Sequence, residues 1–264
     1  MRALQAQARS ELRLSLRQGE QLLVALGIPV LVLVFFSLVD VLPADDALGN
    51  LTKPVEIAGL GTEVRAVDAL FPRVLALAVI SSAMVSLGIG TGFERYYKVL
   101  KRLGTTPLGR PRLLAAKVLS VVAIQVVQVL VLTATAVALG WRPGRFDAPL
   151  GAQVALTVLA FLLGTAAFAG IGLFLAGTLS GPLNLAVCNA LYLVLLLFGG
   201  IAVPLSQLPA PLESFGALLP SAALAEVLQY AVLAGTATPK ASWAVLAAWA
   251  VLAPLVAVRT FRWE

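Results

Sequence analysis

"VLSVVAIQVVQVLVLTATAVAL", residues 118–139, carries no charged side chain. Crossing about 30 Å of hydrocarbon takes roughly 20 largely apolar residues in a helix, and this stretch is long enough without an interruption. A helix apolar on every face has no stable exposure to water, so the segment reads as a membrane span. The whole chain agrees. Of its 264 residues, 60% are hydrophobic and 12% charged, against about 45–50% and about 25% in soluble domains.

Five further segments meet the same requirement, giving expected spans at Gln21–Leu42, Val74–Gly92, Val118–Leu139, Leu150–Leu175, Leu185–Val203 and Ser242–Val258. The apolar core of the first is too long for a signal-peptide h-region and its preceding arm too long for an n-region, so it is read as uncleaved. The expected fold is an all-α integral membrane protein with six transmembrane helices, forming one permease-like domain over residues 1–264.

An even number of spans returns both termini to one side. That side receives Arg2, Arg9, Arg13 and Arg17, the cluster Arg95, Lys98, Lys101, Arg102, Arg110, Arg112 and Lys117, and Arg259 and Arg262. The other receives Lys53, Arg65, Arg73, Arg142, Arg145 and Lys240. Lysine and arginine accumulate in cytoplasmic loops, so both termini and residues 93–117 are expected in the cytoplasm, with acids such as Asp45, Asp46, Glu56, Glu63, Asp68, Asp147 and Glu213 outside. The net charge of +6 then records orientation, and no nucleic-acid partner is expected.

Two segments outside the spans have their own character. At 100° per residue Arg2, Arg9, Arg13 and Arg17 share one sector beside Leu4, Ala8, Leu12 and Leu16, which suits an amphipathic helix over residues 1–20 lying on anionic lipid. Residues 204–235 are apolar but broken by Pro204, Pro209, Pro211 and Pro220. Broken helices survive at membrane depth only when buried in protein or lining a cavity. Two short helices tucked into the outer leaflet are expected there. The second is capped by Ser221, carries Glu226, and runs to about Ala234 before Gly235.

The basic cluster is organised as well as charged. On a helical wheel Glu94, Arg95, Lys98, Lys101 and Arg102 oppose Tyr96, Tyr97, Val99, Leu100 and Leu103, predicting an amphipathic surface helix over 93–103 with Glu94 and Lys98 at i,i+4 spacing. Gly104 ends it and "TTPLGRP" turns the chain. Gly104 and Gly109 have phosphate-loop spacing, but Arg110 and Pro111 stand where that motif needs lysine and Ser/Thr, so ATP is not bound by this route. Orientation alone calls for scattered charge, not a structured amphipathic helix, so a cytoplasmic partner is expected to dock here.

At this point "FERYYKVLKRLGTTPLGRPRLLAAKVL", residues 93–119, resembles the loop between the second and third spans of type-2 ATP-binding cassette (ABC) exporter permeases, in particular actinobacterial drug and lipid exporters. The matching elements are Glu94-Arg95, Lys101-Arg102-Leu103 and the turn Thr106-Pro107-Leu108. The amphipathic N-terminus, the six spans and "LLP" at Leu218–Pro220 resemble the same plan over the whole chain. The loop opens "ERYYK" where many members carry a more acidic run.

The resemblance implies a permease that works as a dimer, with an identical chain or a paralogue, in a bacterial plasma membrane. Two copies of a separate ATPase subunit would bind ATP and magnesium; this chain would bind no cofactor itself. Coupling would run through residues 93–112 (Glu94, Arg95, Lys98, Lys101, Arg102, Leu103, Thr106, Pro107, Leu108) and the N-terminal Arg9, Arg13 and Arg17. The second and fifth spans would flank the path, making Ser81, Ser82, Ser86, Asn184, Asn189 and Tyr192 candidates for its lining. Gln125 and Gln128, on one face of the third span, suit helix-to-helix bonding.

The residues themselves argue against other classes. The chain has no histidine and one cysteine, Cys188, so it holds no histidine dyad, no intramolecular disulfide, and no histidine or cysteine cluster for a metal; it is not expected to be an enzyme. An ATP-independent secondary transporter or channel is the alternative reading. Ion-coupled carriers keep charge at mid-membrane depth, whereas here Asp40 and Arg73 sit only near outer ends. An uncharged path suits a hydrophobic or amphipathic substrate.

Overall fold

Apolar residues on every side of the long segments let each helix be covered by lipid or by its neighbours all round, and that decides the architecture. The computed structural model describes residues 19–38, 66–103, 110–143, 149–202, 205, 208–233 and 240–262. The element order is α1 (Gly19–Leu38), α2 (Ala66–Ile80), a π-helical turn (Ser81–Ser86), α3 (Leu87–Tyr96), α4 (Val99–Leu103), α5 (Arg110–Ala138), α6 (Leu150–Thr178), α7 (Gly181–Phe198), α8 (Ala210–Ala217), α9 (Pro220–Leu233) and α10 (Lys240–Thr260). Among the described residues there is no strand. The protein is an all-α integral membrane protein.

Among the described residues, five continuous helices are long and apolar enough to cross a membrane: Val67–Tyr96, Arg112–Ala138, Leu150–Thr178, Gly181–Phe198 and Lys240–Thr260. Helix α1, whose described apolar run is Leu26–Ser37, falls on the first expected span. The second expected span is extended at both ends, because α2, the π turn and α3 run on as one rod of 30 residues, about 45 Å long. Asp68, expected in an exposed outer loop, therefore lies inside α2 and is fully buried. Likewise α5 starts at Arg110, so Lys117 belongs to a helix and not to a loop.

Helix α6 is the hub, packed against α10, α3, α9, the π turn, α2 and α7. Glycines allow the closest approaches. A Cβ on Gly170 would stand 2.5 Å from the nitrogen of Pro254 in α10, and one on Gly172 would stand 2.7 Å from the carbonyl oxygen of Met84 in the π turn. On the other side of that contact Gly88 faces Gly172. Where side chains would hold helices apart, bare backbone lets them touch and gain dispersion contact.

The expected re-entrant segment is a bent pair, α8 and α9 meeting at 77°. Almost every residue of α9 is buried. The carbonyls at the bend and at the end of α9 need donors away from water, and neighbours supply them. Trp249 Nε1 donates to the Leu218 carbonyl at 3.0 Å, and Gln153 Nε2 donates to the carbonyls of Val232 and Leu233 at 3.3 and 3.4 Å. One expectation fails here: Ser221 does not cap α9. The helix begins one residue earlier with Pro220, whose missing N–H suits a first position. The Ser221 hydroxyl is buried against Gly199, without a hydrogen-bond partner among the described residues.

The N-terminal helix with Arg9, Arg13 and Arg17, the turn Thr106-Pro107-Leu108, and Pro204 lie outside the described residues.

Candidate functional site

The basic end of the bundle gathers the last turn of α3, α4, the first turns of α5, the end of α6, the start of α7 and the tail after α10. The expected single helix over 93–103 is two pieces here. Helix α3 stops at Tyr96, Tyr97 and Lys98 form a turn, and α4 follows from Val99. Lys98 has φ +60°, the left-handed conformation that usually closes a helix through glycine. The Tyr97 N–H donates to the Phe93 carbonyl at 2.8 Å and the Lys98 N–H to the Arg95 carbonyl at 2.9 Å, closing the last turn.

Glu94 does not pair with Lys98 as its spacing predicts. It turns inward to Lys117 of α5, with Nζ 2.6 Å from Oε2 and 2.7 Å from Oε1. Lys117 is only 3% exposed. An exposed i,i+4 pair contributes a few tenths of a kcal/mol. A lysine buried in the bundle requires a counter-charge, and Glu94 supplies it.

Arg95 turns the other way, its Nη1 donating to the Ala176 carbonyl at 2.8 Å. A cation at the end of α6 also complements that helix's dipole. The Arg262 N–H then donates to the Gly177 carbonyl at 3.1 Å, and Phe261 lies against Gly177. Tyr96 and Phe93 pack over Gly181 at the start of α7. Glu94 and Arg95 thus fasten the end of α3 to α5 and α6.

What remains outward is compact. Tyr96, Tyr97, Lys98, Val99 and Lys101 are exposed, while Leu100 is fully buried and pins α4 down. Tyr97 stacks on Phe93 with ring centroids 6.1 Å apart and meets Tyr96 edge-on at 5.3 Å. Arg102 and Leu103 close α4.

The expected path residues lie on the π turn and on α7, which packs against that turn and α3, and they differ in their surroundings. Ser82 is buried and holds helices: its hydroxyl donates to the Ala78 carbonyl at 2.8 Å and accepts from Gln125 Nε2 at 2.9 Å, while Thr165 Oγ1 donates to Gln125 Oε1 at 2.6 Å. Asn184 is fully buried, donating from Nδ2 to the Gly88 carbonyl at 2.8 Å. Ser81 bonds the Ala78 carbonyl on its own helix at 3.1 Å. Ser86 and Asn189 are exposed and Tyr192 is half-buried. Of the re-entrant residues, Glu226 accepts from Ser242 Oγ at 2.6 Å, tying α9 to α10.

Two apolar hollows of about 250 and about 180 Å³ lie between α5 and α6 and share Val129, Thr157 and Val158. Neither is lined by a path candidate. Among the described residues no cluster of three metal-ligating side chains occurs.

Lys117, Thr165, Gln153 and Trp249 were not among the expected site residues. Lys117 carried a faint signal, a cation directly against an uncharged span. The π turn, which holds Ser81, Ser82 and Ser86, had none.

No curated protein matches the sequence. A family model described as ABC-2 type transporter does match, over residues 2–233, which takes in the basic turn, the hub helix and the bent pair. Membership makes the chain a multi-pass permease of the cell membrane, the non-catalytic transmembrane component of an ABC transporter, a family that works with an ATPase partner. The all-α bundle of membrane-length apolar helices agrees with that match, and the chain belongs to the ABC-2 type transporter family.

Proposed function

We propose that this permease is the membrane half of an exporter for a hydrophobic or amphipathic molecule, drug-like or lipid-like, driven by an ATPase docked on the cytoplasmic turn at 96–101. The observation that carries this reading is the division of labour at that turn. Glu94 and Arg95 fasten it to α5 and α6, while Tyr97, Lys98 and Lys101 face outward. A push on the exposed side chains is passed to two spanning helices through an ion pair and a charged hydrogen bond. A solvated loop held only by its backbone would absorb the same push.

Support for the substrate class comes from the spans. Several of their buried polar groups, Ser82, Gln125, Thr165 and Asn184 among them, are held in bonds between helices, and the hollows between α5 and α6 are lined mainly by aliphatic and aromatic side chains. Two permease chains and two ATPase subunits would form the working complex. ATP and magnesium would sit on the ATPase.

The test is reversal of charge at Lys98 and Lys101 in the tagged protein, purified gently from its own membrane. The expected outcome is loss of the copurifying ATPase with unchanged membrane insertion. Undiminished ATPase recovery would remove the docking role. Stimulation of the complex's ATP hydrolysis by lipids and drugs, and not by a charged polysaccharide, would support the substrate class.

A further inference from the structure

Three described charged residues are buried: Asp68, Arg73 and Lys117. Lys117 has Glu94. Arg73 is 5% exposed, and among the described residues its Nη1, sealed from solvent, has no hydrogen-bond partner. It is the eighth residue of α2, about 10 Å along the rod from its outer end, at the edge of the apolar run that starts with Val74. This is the depth of lipid headgroups and their ester linkages. Asp68 projects from α2 about 140° around the helix from Arg73, so the two face different neighbours. On the adjacent α1, Ser37 Oγ is a second buried donor without a partner among the described residues, one residue from that helix's outer end.

A guanidinium held in the bundle without an anion is costly, and an ionisable residue within a span marks a ligand or a pathway more often than packing. Its planar fork matches phosphate with two parallel hydrogen bonds. We propose that Arg73 holds a phosphate-bearing anion at outer-leaflet depth, the headgroup of an acidic lipid-like amphiphile or a free phosphate reaching the same fork. Because the side chain is buried, entry requires a local opening of the packing around it. The inference rests on the position of α2 in the membrane and not on the ATPase reading.

The test uses the full-length protein in a neutral detergent, titrated separately with phosphatidylglycerol, phosphatidylcholine of the same chains, and inorganic phosphate, while the unfolding midpoint is followed. Phosphatidylglycerol is expected to raise the midpoint of the wild type where phosphatidylcholine does not. Arg73→Gln should need roughly tenfold more phosphatidylglycerol for the same shift, and Arg73→Lys should keep part of the response. Without acidic lipid, Arg73→Gln should be at least as stable as the wild type, since it removes an uncompensated charge. A response to phosphatidylglycerol alone supports a lipid headgroup; an Arg73-dependent response to inorganic phosphate as well supports the same fork fed from solution. Equal responses to the two lipids, or an undiminished response in Arg73→Gln, would overturn the assignment, and the first of these needs no variant to fold.

Discussion

Lys117 and Glu94 stand 23 residues apart in sequence, yet the lysine's ammonium lies 2.6 and 2.7 Å from the two carboxylate oxygens of Glu94. The pair joins the end of α3 to the first turns of α5 across the turn they enclose. Lys117 is buried and Glu94 is 31% exposed, so the ammonium has more to lose than the carboxylate. Glu94→Gln, which strands the lysine, should destabilise the protein by about 2–3 kcal/mol, below the range for a fully buried pair. Lys117→Met, which leaves the carboxylate water to turn to, should cost less. A double-mutant cycle read by thermal unfolding measures the coupling. A coupling near zero would show that the contact fastens nothing.

Lys98 holds a backbone conformation that glycine reaches freely. A left-handed residue with a side chain costs about 1–2 kcal/mol, so Lys98→Gly should raise stability by about 1 kcal/mol while Lys98→Ala should not. Both remove the same charge and should weaken ATPase recovery alike. Equal unfolding midpoints for the two variants would mean that the turn relaxes without strain.

Much of the bundle was legible from residue type alone. Spans such as α5 and α6 are announced by length and apolarity, which local composition controls, and the prolines of 204–220 announce a broken segment. What escaped notice depends on distance in space. The wheel placed Glu94 beside Lys98 because they are neighbours on an ideal helix; it had no means of seeing Lys117 on another helix. Asp68 and Arg73 lowered the local hydropathy enough to hide the first turns of α2. Ser82 and Asn184 looked like cavity residues because a span's polar side chains read the same whether they meet substrate or a neighbouring helix. Ser82 bonds Gln125 and Asn184 bonds the Gly88 carbonyl, contacts between helices that only the folded chain displays.

The α6–α10 contact is the most extensive in the bundle, and Gly170 is where it is tightest. A Cβ there would meet the Pro254 nitrogen at 2.5 Å and the Ala253 carbonyl carbon at 2.6 Å, both backbone atoms that cannot rotate away. Gly170→Ala should therefore force the helices apart at about 1–3 kcal/mol. At Gly90 an added Cβ meets no atom within 4 Å, so Gly90→Ala should be neutral or gain up to about 1 kcal/mol of helix propensity. Comparable unfolding midpoints for the two variants would contradict the close approach.

The bent pair α8–α9 keeps its place through donors from other helices. Trp249 Nε1 satisfies the Leu218 carbonyl at the bend, and Gln153 Nε2 the last carbonyls of α9. Trp249→Phe removes the first donor while preserving most of the ring, and Gln153→Leu removes the second. Each should cost about 0.6–1.7 kcal/mol, the range for single hydrogen bonds between membrane helices. The local consequence should exceed the global one, because the carbonyls left bare lie at the two ends of one short helix and favour letting water in. A reporter cysteine at Ala222→Cys, which replaces a side chain buried in α9, can be placed in a Cys188→Ser background. It should resist a membrane-impermeant thiol reagent in the parent and label faster when both donors are gone. Protection that survives both substitutions would show that apolar packing of α9 holds the pair without these bonds.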